Sequence, residues 1–238
     1  MKIALLGYGK MGKLIADIAT QNGHTVIAKL SSKDKANKEN LAAADVCIDF
    51  SHPSCILDNI KICAELQKNI VVGTTGWYDH LEQIEKTVKK HQIGLFYSPN
   101  FSVGVNLFLQ IVEEAAKLIN NFAEYDVGTV ESHHNKKADS PSGTAKAIAN
   151  TLVKNIERKK NIVYNTEDQI GNESLHVSSL RCGFIPGSHS VLFDSHADTI
   201  TLCHQARNRE GFARGAVAAA EWLHGKKGLF TMKDLMTK

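Results

Sequence analysis

Cysteine is scarce in this chain, and its spacing gives no sign of cross-linking. The five cysteines, Cys47, Cys55, Cys63, Cys182 and Cys203, are odd in number and form no Cys-x-x-Cys pair. Thiols of this kind are typical of a reducing compartment. We therefore interpret them as reduced, mostly buried thiols of a cytoplasmic protein.

Long apolar runs and strongly basic surfaces are also absent. No stretch approaches the roughly 20 apolar residues that span a bilayer. The first apolar segment, residues 3–6, is followed at once by glycine, which favours a strand over a targeting peptide. The net charge of +3 is spread along the chain without a basic stripe interleaved with aromatic residues. We expect neither a nucleic acid nor a membrane as a partner, whereas a small positive balance suits anionic ligands.

The length and composition indicate a globular protein with room for two domains. At 238 residues the chain exceeds the usual size of a single domain, which is about 100–150 residues. Apolar residues make up 43% of the chain and charged residues 22%. These fractions are ordinary for a protein with a buried core.

A glycine-rich turn follows the first predicted strand. Residues 7–12 read Gly-Tyr-Gly-Lys-Met-Gly, between an apolar run and a segment with apolar residues at helical spacing. This pattern is typical of dinucleotide binding, because the glycines let the backbone approach a pyrophosphate at the helix N-terminus. The candidate cofactor-binding residues of the turn are Gly7, Tyr8, Gly9, Lys10, Met11 and Gly12.

The turn after the second predicted strand, residues 24–28, bears on the choice of cofactor. NAD-selective sites usually place Asp or Glu there, against the ribose 2′-hydroxyl. This chain has no carboxylate at that point but offers Ser32 and Lys33, which suit a phosphate. The sequence therefore favours NADPH, or the acceptance of both NADPH and NADH. The alternative is that Lys33 only opens a solvated stretch, since residues 31–40 are largely polar.

Strands and helices alternate along the N-terminal part of the chain. Further strands are predicted at residues 45–50, 69–73 and 93–97, separated by helices. The alternation predicts a Rossmann fold, a doubly wound parallel sheet whose ligands lie beyond the carboxyl ends of the strands. The loops at 50–53 and 73–76 are therefore expected to border the nicotinamide, although Gly-Thr-Thr-Gly at 73–76 is by itself explained best as an ordinary turn.

Two histidines and a lysine follow a predicted strand at residues 125–131. His133 and His134 lie at the strand end, with Lys137 shortly after them. Histidine and lysine bind carboxylates and move protons near neutral pH. The alternatives are an exposed polar turn and a metal site, but no Cys, His or Glu at ligand spacing completes a metal site here.

A predicted helix start comes directly after these residues. Pro-Ser-Gly-Thr at 141–144 precedes apolar residues at helical spacing, with Ser142 as the predicted N-cap. The amides of Gly143 and Thr144 then lie at the positive end of the helix, which favours an anion. The residues alone therefore predict hydride transfer to or from a small anionic substrate.

The segment His-His-x-x-Lys-x-Asp-x-Pro-Ser-Gly-Thr-Ala at 133–145 resembles the signature of the 4-hydroxy-tetrahydrodipicolinate reductase family, also called dihydrodipicolinate reductase. Residues 98–105 are similar to the family's (Ala/Ser)-Pro-Asn-Phe-Ser-Val-Gly-Val segment, and residues 181–189 to its Arg-x-Gly-x-x-x-Gly-x-His loop. The resemblance extends over nearly the whole chain. It implies NAD(P)H-dependent reduction of 4-hydroxy-2,3,4,5-tetrahydrodipicolinate to tetrahydrodipicolinate in the diaminopimelate pathway of lysine biosynthesis.

The resemblance also implies roles for individual residues. His133 and Lys137 become proton donors, and the substrate-binding residues are His134, Lys137, Gly143 and Thr144. Beyond the glycine turn, Ser32 and Lys33, the expected cofactor contacts are Phe50, Gly73, Thr74, Thr75, Ser98, Pro99, Asn100 and Phe101. No metal is expected. The chain departs from the family at Ser31, Ser32 and Lys33, and at His52, where some members carry Arg.

The pattern changes in the second half of the chain. A long helix is predicted at residues 103–119, with Leu107, Ile111, Ala115 and Leu118 on one stripe, followed by alternating segments at 125–131, 173–181, 189–193 and 198–203. These predict a smaller α+β domain with an open mixed or antiparallel sheet, covered by helices on one side. We expect a Rossmann domain of residues 1–101 plus 210–238 and a substrate and oligomerisation domain of residues 102–209.

The uncovered face of the second sheet predicts self-association. Such a face needs burial, and copies of the same chain provide it. The resembled family is tetrameric through this sheet, so a homotetramer with a small dicarboxylate substrate is expected.

Two other functions are compatible with parts of the sequence. One is another two-domain Rossmann reductase acting on a small amino or hydroxy acid. The other is a cofactor-sensing protein that has lost turnover, against which the presence of both His133 and Lys137 argues.

Overall fold

The computed structural model describes residues 1–164 and 169–237. The chain divides into two compact units. The N-terminal unit comprises Met1–Val103 and Glu210–Lys238, and the second unit comprises Gly104–Arg209. Lys238 and residues 165–168, which the predicted domains include, lie outside the described residues.

The helices and strands of the described chain have the following bounds. The strands are β1 Lys2–Leu6, β2 Thr25–Leu30, β3 Val46–Asp49, β4 Asn69–Val72, β5 Gly94–Tyr97, β6 Asp126–His133, β7 Asn161–Val163, β8 Ser174–Arg181, β9 Ser188–Asp194, β10 Thr199–Gln205 and β11 Gly228–Phe230. The helices are α1 Lys10–Gln21, α2 Lys38–Leu41, α3 Ile56–Glu65, α4 Leu81–His91, α5 Val103–Ile119, α6 Gly143–Asn155, α7 Glu210–Trp222 and α8 Met232–Met236.

The N-terminal unit contains a parallel six-stranded sheet in the order β11-β5-β4-β3-β1-β2. Its central strands are apolar on both faces. On β1, Ile3 and Leu5 pack in the cluster with α1 and α7, whereas Ala4 and Leu6 pack in the cluster with α3 and α4. Burial on both faces is what a doubly wound parallel sheet requires. The predicted Rossmann fold is confirmed.

The strand order places the ligand-binding edge of this sheet. Because β1 lies between β2 and β3, the winding of the chain reverses beside β1. Ligands of doubly wound sheets bind at the carboxyl ends of the strands flanking such a switch point. The ends of β1 and β3, at Leu6 and Asp49, therefore mark the candidate cofactor site.

Two details of the N-terminal unit differ from the sequence-based expectation. The helix after β3, which the sequence predicts from Pro53 to Gln67, begins as a 3-10 turn, Pro53–Cys55. Its α-helical part, α3, ends at Glu65, and Gln67 adopts a positive φ of 54°. No strand is predicted in residues 210–238, but the structure has β11 there, and β11 pairs with β5. A strand as short as Gly228–Phe230 carries too little pattern to be recognised from sequence.

The second unit contains a mixed five-stranded sheet in the order β10-β9-β6-β8-β7. β8 runs parallel to both β6 and β7, while β9 runs antiparallel to β6 and β10. Helices α5 and α6 bury one face in a single apolar cluster. The predicted open mixed sheet is confirmed.

The buried stripe of α5 differs from the predicted one. The core takes Val105, Phe108, Val112, Ala116 and Ile119, whereas Leu107, Ile111 and Leu118 are 48%, 54% and 67% exposed. Both stripes repeat at helical spacing, so periodicity alone does not choose between them. The position of the sheet makes that choice.

β6 extends further than predicted. It continues through Ser132 and His133, which pair with Ser188 on β9 and Arg181 on β8. His133 is therefore the last residue of a central strand rather than the first residue of a loop. Across the described residues, no helix has the length and apolar character needed to cross a membrane.

Candidate active site

A cavity of about 520 Å³ lies at the carboxyl ends of β1 and β3 in the N-terminal unit. Its volume falls within the range of small-molecule sites, about 300–1,000 Å³. The predicted cofactor-binding residues that line it are Gly7, Tyr8, Gly9, Ser32 and Phe50. Those outside its lining are Lys10, Met11, Gly12, Lys33, Gly73, Thr74, Thr75, Ser98, Pro99, Asn100 and Phe101.

The glycines of the first turn permit close backbone packing. Gly7 has a φ of +96°, and a Cβ placed on it would lie 2.3 Å from the carbonyl oxygen of Phe50. A Cβ on Gly12 would lie 2.3 Å from the carbonyl oxygen of Gly7. No larger residue fits either position without backbone movement. The turn between β1 and α1 therefore has the form that a dinucleotide pyrophosphate requires.

A carboxylate outside the predicted set, Asp34, also lines this cavity. Its Oδ2 accepts hydrogen bonds from the Ser31 amide and hydroxyl at 2.8 and 2.7 Å. These bonds lower the pKa of Asp34 below its usual value. Lys35 lines the cavity too, while Lys33 is exposed outside it. The turn after β2 therefore presents both signs of charge.

Asp49 organises the loops after β3 and β4. Its fully buried carboxylate accepts from the Ser51 amide and hydroxyl at 2.9 and 2.8 Å, from Thr74 Oγ1 at 3.0 Å and from Asn59 Nδ2 at 2.7 Å. Burial raises the pKa of Asp49, and these hydrogen bonds oppose the rise. The carboxylate thereby ties the Gly-Thr-Thr-Gly loop to the end of β3.

The ring of Phe50 packs against two other predicted cofactor-binding segments, the loop that contains Gly73 and the segment that contains Phe101. A Cβ on Gly73 would lie 2.2 Å from Phe50 Cζ, and the rings of Phe50 and Phe101 lie 5.8 Å apart. Ser98 Oγ donates to the carbonyl oxygen of Asn100 at 2.8 Å and shapes the turn before Phe101. The predicted cofactor-binding residues that are exposed are Gly9, Lys10, Ser32, Lys33, Thr75 and Pro99.

The second unit contains a buried histidine–carboxylate pair on β6. Glu131 and His133 are 1% and 8% exposed, and Nδ1 of His133 forms a short hydrogen bond with Oε2 of Glu131. Burial lowers the pKa of His133, the charges of Lys137 and Arg181 add to this effect, and Glu131 opposes it. The imidazole is therefore neutral near pH 7.

Glu131 has further partners on two other elements. Its Oε1 lies 2.8 Å from Arg181 Nη2, at the end of β8, and accepts from the Ser142 amide at 3.3 Å. Burial alone raises the pKa of Glu131, but hydrogen bonds from Arg181 and Ser179 together with the effect of His133 outweigh it. The net pKa is lowered, so Glu131 is ionised.

His189 and Gly187, at the start of β9, complete the surroundings of His133. The two imidazole rings meet edge to face with centroids 5.3 Å apart. Gly187 has a φ of +152°, and a Cβ placed on it would lie 3.1 Å from Nε2 of His133. The absence of a side chain at Gly187 leaves room beside this nitrogen.

We expect His189 to make the protein less stable in acid. Burial first, and then His133, lowers the pKa of His189 from 6.5 to about 4. In the unfolded chain His189 is protonated below pH 6.5, whereas in the folded chain it is protonated only below about pH 4. Stability is fully present above this window and declines as the pH falls through it. The expected loss is on the order of 3 kcal/mol.

Thermal melting across that window measures the effect. The groups that act on His189 are His133, Glu131, His204 and Lys137. The matched variant is His189→Gln, which cannot titrate there and should lose less of its melting temperature on acidification than the native protein. A smaller decline should remain, since His133 and His204 also have lowered pKa values. An identical pH dependence in both proteins contradicts the assignment to His189.

Lys137 lies close to the same imidazoles. Its charge contributes to the lowered pKa values of His133 and His189, and its Nζ pairs with Asp139 Oδ1 at 2.7 Å. The amide of Lys137 donates to the carbonyl oxygen of His134 at 3.1 Å, which closes a tight turn. The half-buried His134 and the partly exposed ammonium of Lys137 therefore occupy one short segment.

The start of α6 has the predicted form. Ser142 is the N-cap and accepts from the Ala145 amide through Oγ at 3.2 Å. Gly143 follows as an exposed residue, and a Cβ placed on it meets nothing within 4 Å. Thr144 is half-buried in the same first turn. The space that a side chain at residue 143 would fill is therefore open beside the first turn of α6.

Several residues of both sites were not among the predicted ones. Glu131 precedes His133 by two residues, a spacing that places both side chains on one face of a strand. That spacing could have identified Glu131 from the sequence as a neighbour of His133. Arg181 and His189 bound the 181–189 segment that the family resemblance singled out, but their positions beside His133 and Glu131 arise through strand pairing. Asp34 enters through a local turn, which no periodic pattern reveals.

Neither site offers a metal centre. Among residues 1–164 and 169–237, no group of three or more His, Cys, Asp or Glu side chains is arranged to hold a metal ion. The cysteines are all free thiols, with Cys47 and Cys63 buried and Cys55, Cys182 and Cys203 exposed. Most are therefore exposed, not buried as the sequence suggested.

Two family models together match nearly the whole chain. The one described as "Dihydrodipicolinate reductase, N-terminus" matches residues 1–101. The one described as "Dihydrodipicolinate reductase, C-terminus" matches residues 104–236.

Curated relatives of this chain carry the name 4-hydroxy-tetrahydrodipicolinate reductase, and three of them illustrate the match. The protein from Christiangramia forsetii is 37% identical over 100% of this chain and 98% of its own length. The protein from Thermosipho africanus is 36% identical over 99% of this chain and 98% of its own length. The protein from Methanosarcina mazei is 35% identical over 98% of this chain and 88% of its own length.

Solved structures share the fold. A dipicolinate-bound dihydrodipicolinate reductase from Paenisporosarcina sp. TG-14 superposes with a TM-score of 0.80 at 24% identity, covering 97% of both chains. An amine dehydrogenase from Mycobacterium smegmatis has a TM-score of 0.61 at 11% identity, covering 100% of this chain and 96% of its own. At these identities the structural similarity describes the fold alone.

Proposed function

This chain belongs to the dihydrodipicolinate reductase family of NAD(P)H-dependent oxidoreductases, and we propose that it reduces 4-hydroxy-2,3,4,5-tetrahydrodipicolinate to tetrahydrodipicolinate. One observation carries the proposal: in the second unit, the charge of Lys137 acts on the buried His133, and helix α6 begins a few residues after both. A cyclic dicarboxylate needs acid groups beside its ring and cations or amides for its carboxylates, and this segment offers both.

The N-terminal unit fits a nicotinamide dinucleotide. Gly7 and Gly12 sit where a Cβ would collide with backbone, and the cavity at the ends of β1 and β3 has room for a nucleotide. In the proposal Gly7, Tyr8 and Gly9 hold the pyrophosphate, and Phe50 borders the nicotinamide. The bound cofactor supplies the hydride; the chain supplies position and protons.

His133 and Lys137 are the proposed proton donors. The imidazole of His133 is neutral near pH 7 because burial and neighbouring cations lower its pKa. A bound dicarboxylate adds negative charge beside it, and such charge favours the protonated ring. Substrate binding and proton uptake by His133 are therefore coupled. The ammonium of Lys137 serves as a second proton source and as a cation for the substrate.

The substrate carboxylates are assigned to two places. His134 binds one, and the amides of Gly143 and Thr144 at the start of α6 bind the other, with Lys137 as the cation of the site. The exposed position of Gly143 and the dipole of α6 support this assignment. In the unliganded chain Lys137 pairs with Asp139, so the carboxylate of the substrate competes with that of Asp139.

Both NADH and NADPH are proposed as cofactors. The Asp34 carboxylate in the cavity suits a ribose 2′-hydroxyl and repels a 2′-phosphate, while Lys33 and Lys35 attract the phosphate. Because these effects oppose each other, we expect kcat/KM values for the two cofactors to be similar. Replacing Asp34 by Asn should shift the ratio toward NADPH.

A direct assay tests the reductase function. Purified protein, supplied with 4-hydroxy-tetrahydrodipicolinate, should consume the absorbance of reduced nicotinamide, and titration of both cofactors gives their relative kcat/KM. A dicarboxylate analogue such as dipicolinate should compete with the substrate. If neither cofactor is consumed by a protein that binds it, the reductase function is wrong.

The proposed place of the reaction is the diaminopimelate pathway of lysine biosynthesis, in the cytoplasm. Five free thiols fit a reducing compartment. Expression of this chain in a bacterium that lacks its own reductase of this type should restore growth without added diaminopimelate. Failure of an expressed, active enzyme to restore growth contradicts the pathway but not the reaction.

We propose a homotetramer assembled through the sheet of the second unit. On the face opposite α5 and α6, Val130 is 40% and Leu180 51% exposed. Apolar residues at the centre of an uncovered sheet favour pairing with copies. Light scattering on the purified protein should give four times the chain mass. Val130→Glu should reduce that mass, whereas Gln83→Glu on the exposed face of α4 should leave it unchanged.

A further inference from the structure

Glu131 has no role in the mechanism proposed above, although its environment is unusual for a carboxylate. Its side chain is fully buried and contacts His133, Arg181 and the backbone amide of Ser142. A buried charge is costly unless it is paired and hydrogen-bonded. Glu131 meets both conditions, and its partners are the proposed acid residue and the N-cap of the proposed anion site.

We propose that Glu131 is a positioning residue that holds the proton of His133 on Nδ1, so that Nε2 is the atom that exchanges a proton with the substrate. An ionised carboxylate only accepts hydrogen bonds, and Nδ1 of a neutral imidazole must therefore donate. The inference rests on the proposed function, because it takes His133 as an acid–base residue. The position of the proton on His133 is tested by a measurement that does not depend on turnover.

The sheet register explains why these groups meet. Glu131 and His133 are two residues apart on β6, so their side chains point to the same face. Parallel pairing places Arg181 of β8 opposite His133, and antiparallel pairing places His189 of β9 opposite Glu131. The carboxylate is therefore enclosed by neighbours from both adjacent strands. A slip of one residue in either pairing would turn these side chains to the other face.

At the opposite edge of the imidazole, Gly187 carries no side chain that would crowd Nε2. Gly187 is the residue beside Nε2, and a Cβ there would come within 3.1 Å of that nitrogen. A glycine with a φ of +152° and no side chain preserves the space. Nδ1 is thus occupied by Glu131, while the Gly187 position beside Nε2 carries no side chain.

Arg181 keeps the pair from becoming a permanent imidazolium–carboxylate pair. A lone buried carboxylate beside histidine would stabilise the protonated ring. The guanidinium of Arg181 compensates the charge of Glu131, and its own charge helps to lower the pKa of His133. The ring therefore remains able to take up and release a proton. Arg181 also donates to the carbonyl oxygen of Asp139 at 2.6 Å, which holds the segment that carries Lys137.

Glu131→Gln is the main test, because it keeps the shape and removes the charge. If the Gln oxygen stays with Arg181 and Ser142, its amide group faces Nδ1 as a donor, and the imidazole proton must move to Nε2. We expect kcat to fall on the order of 10²–10⁴-fold, as expected when a catalytic histidine is held in the wrong tautomer. KM for the cofactor should not change. Ser132→Ala, on the opposite face of the same strand, is the matched control and should keep the native kcat.

Nitrogen NMR of histidine-labelled protein separates positioning from a general loss of structure. In the native protein the His133 signals, assigned by their loss in His133→Gln, should show a protonated Nδ1 and a bare Nε2. In Glu131→Gln the two should exchange. Glu131→Asp keeps the charge, so it should keep the native tautomer and retain more kcat than Glu131→Gln.

Each result decides one of the two proposals. A native spectrum with the proton on Nε2 overturns the role of Glu131, even if Glu131→Gln does not fold. Native kcat in a folded Glu131→Gln protein also overturns it, while the reductase function stands. A native protein that reduces no substrate but shows the expected tautomer removes the reductase function and leaves the geometry of the pair intact.

Discussion

Replacement of His133 by glutamine is expected to lower kcat for the proposed reductase reaction by about 10²–10⁴-fold. Glutamine is polar and still able to donate to Glu131, but it does not exchange a proton near neutral pH. The buried pair in which His133 takes part should therefore remain hydrogen-bonded, and the fold should persist. The glycine turn lies in the N-terminal unit, so cofactor affinity should be close to native.

Steady-state kinetics with both substrates, together with a cofactor dissociation constant from fluorescence quenching, measure this prediction. His196→Gln is a matched control, since His196 is an exposed histidine of the second unit, and it should retain native turnover. An unchanged kcat in a folded His133→Gln protein would remove His133 from the mechanism. Equal losses in both variants would point to a general effect of histidine removal.

Replacement of Lys137 by alanine is expected to have an effect at least as large, on the order of 10²–10⁴-fold in kcat, with a raised KM for the dicarboxylate. The change removes a proton source and a cation from the same site. The ion pair of Lys137 with the half-exposed Asp139 contributes only about 0–1 kcal/mol of stability. The variant should therefore fold with a nearly native melting temperature.

Lys136→Ala is the control for the Lys137 variant. The two lysines are adjacent in sequence, but Lys136 is exposed, and of the two only Lys137 lowers the pKa of His133. Lys136→Ala removes the same charge and should leave kcat and KM near native. If both variants lose activity equally, the effect is one of net charge, and the specific role of Lys137 is contradicted.

The local part of the active-site geometry was within reach of sequence reasoning. The Gly-x-Gly-x-x-Gly turn, the Ser142 cap and the order His133, His134, Lys137 follow from short-range patterns, and the structure places the first two as predicted. Glu131 carried a usable signal in its spacing from His133. Asp34 carried none, since its role depends on a hydrogen-bonded turn with Ser31.

The helix α5 shows the limit of periodic patterns. Two apolar stripes run along it, and the stripe of Leu107, Ile111 and Leu118 is the exposed one. Helical spacing identifies both stripes equally. Only the position of the second sheet determines that Phe108 and Val112 enter the core.

The sequence by itself determined the alternation of strands and helices, the glycine turn, the capped helix start and the family to which the chain belongs, because each depends on residues close together along the chain. The tertiary structure alone decided that Arg181 and His189 flank the Glu131–His133 pair, that Asp49 ties together the ends of β3 and β4, and that β11 completes the first sheet. Those contacts depend on strand order and register, which arise from the packing of segments distant in sequence. A pairing shifted by one residue would leave every local pattern unchanged and separate these side chains.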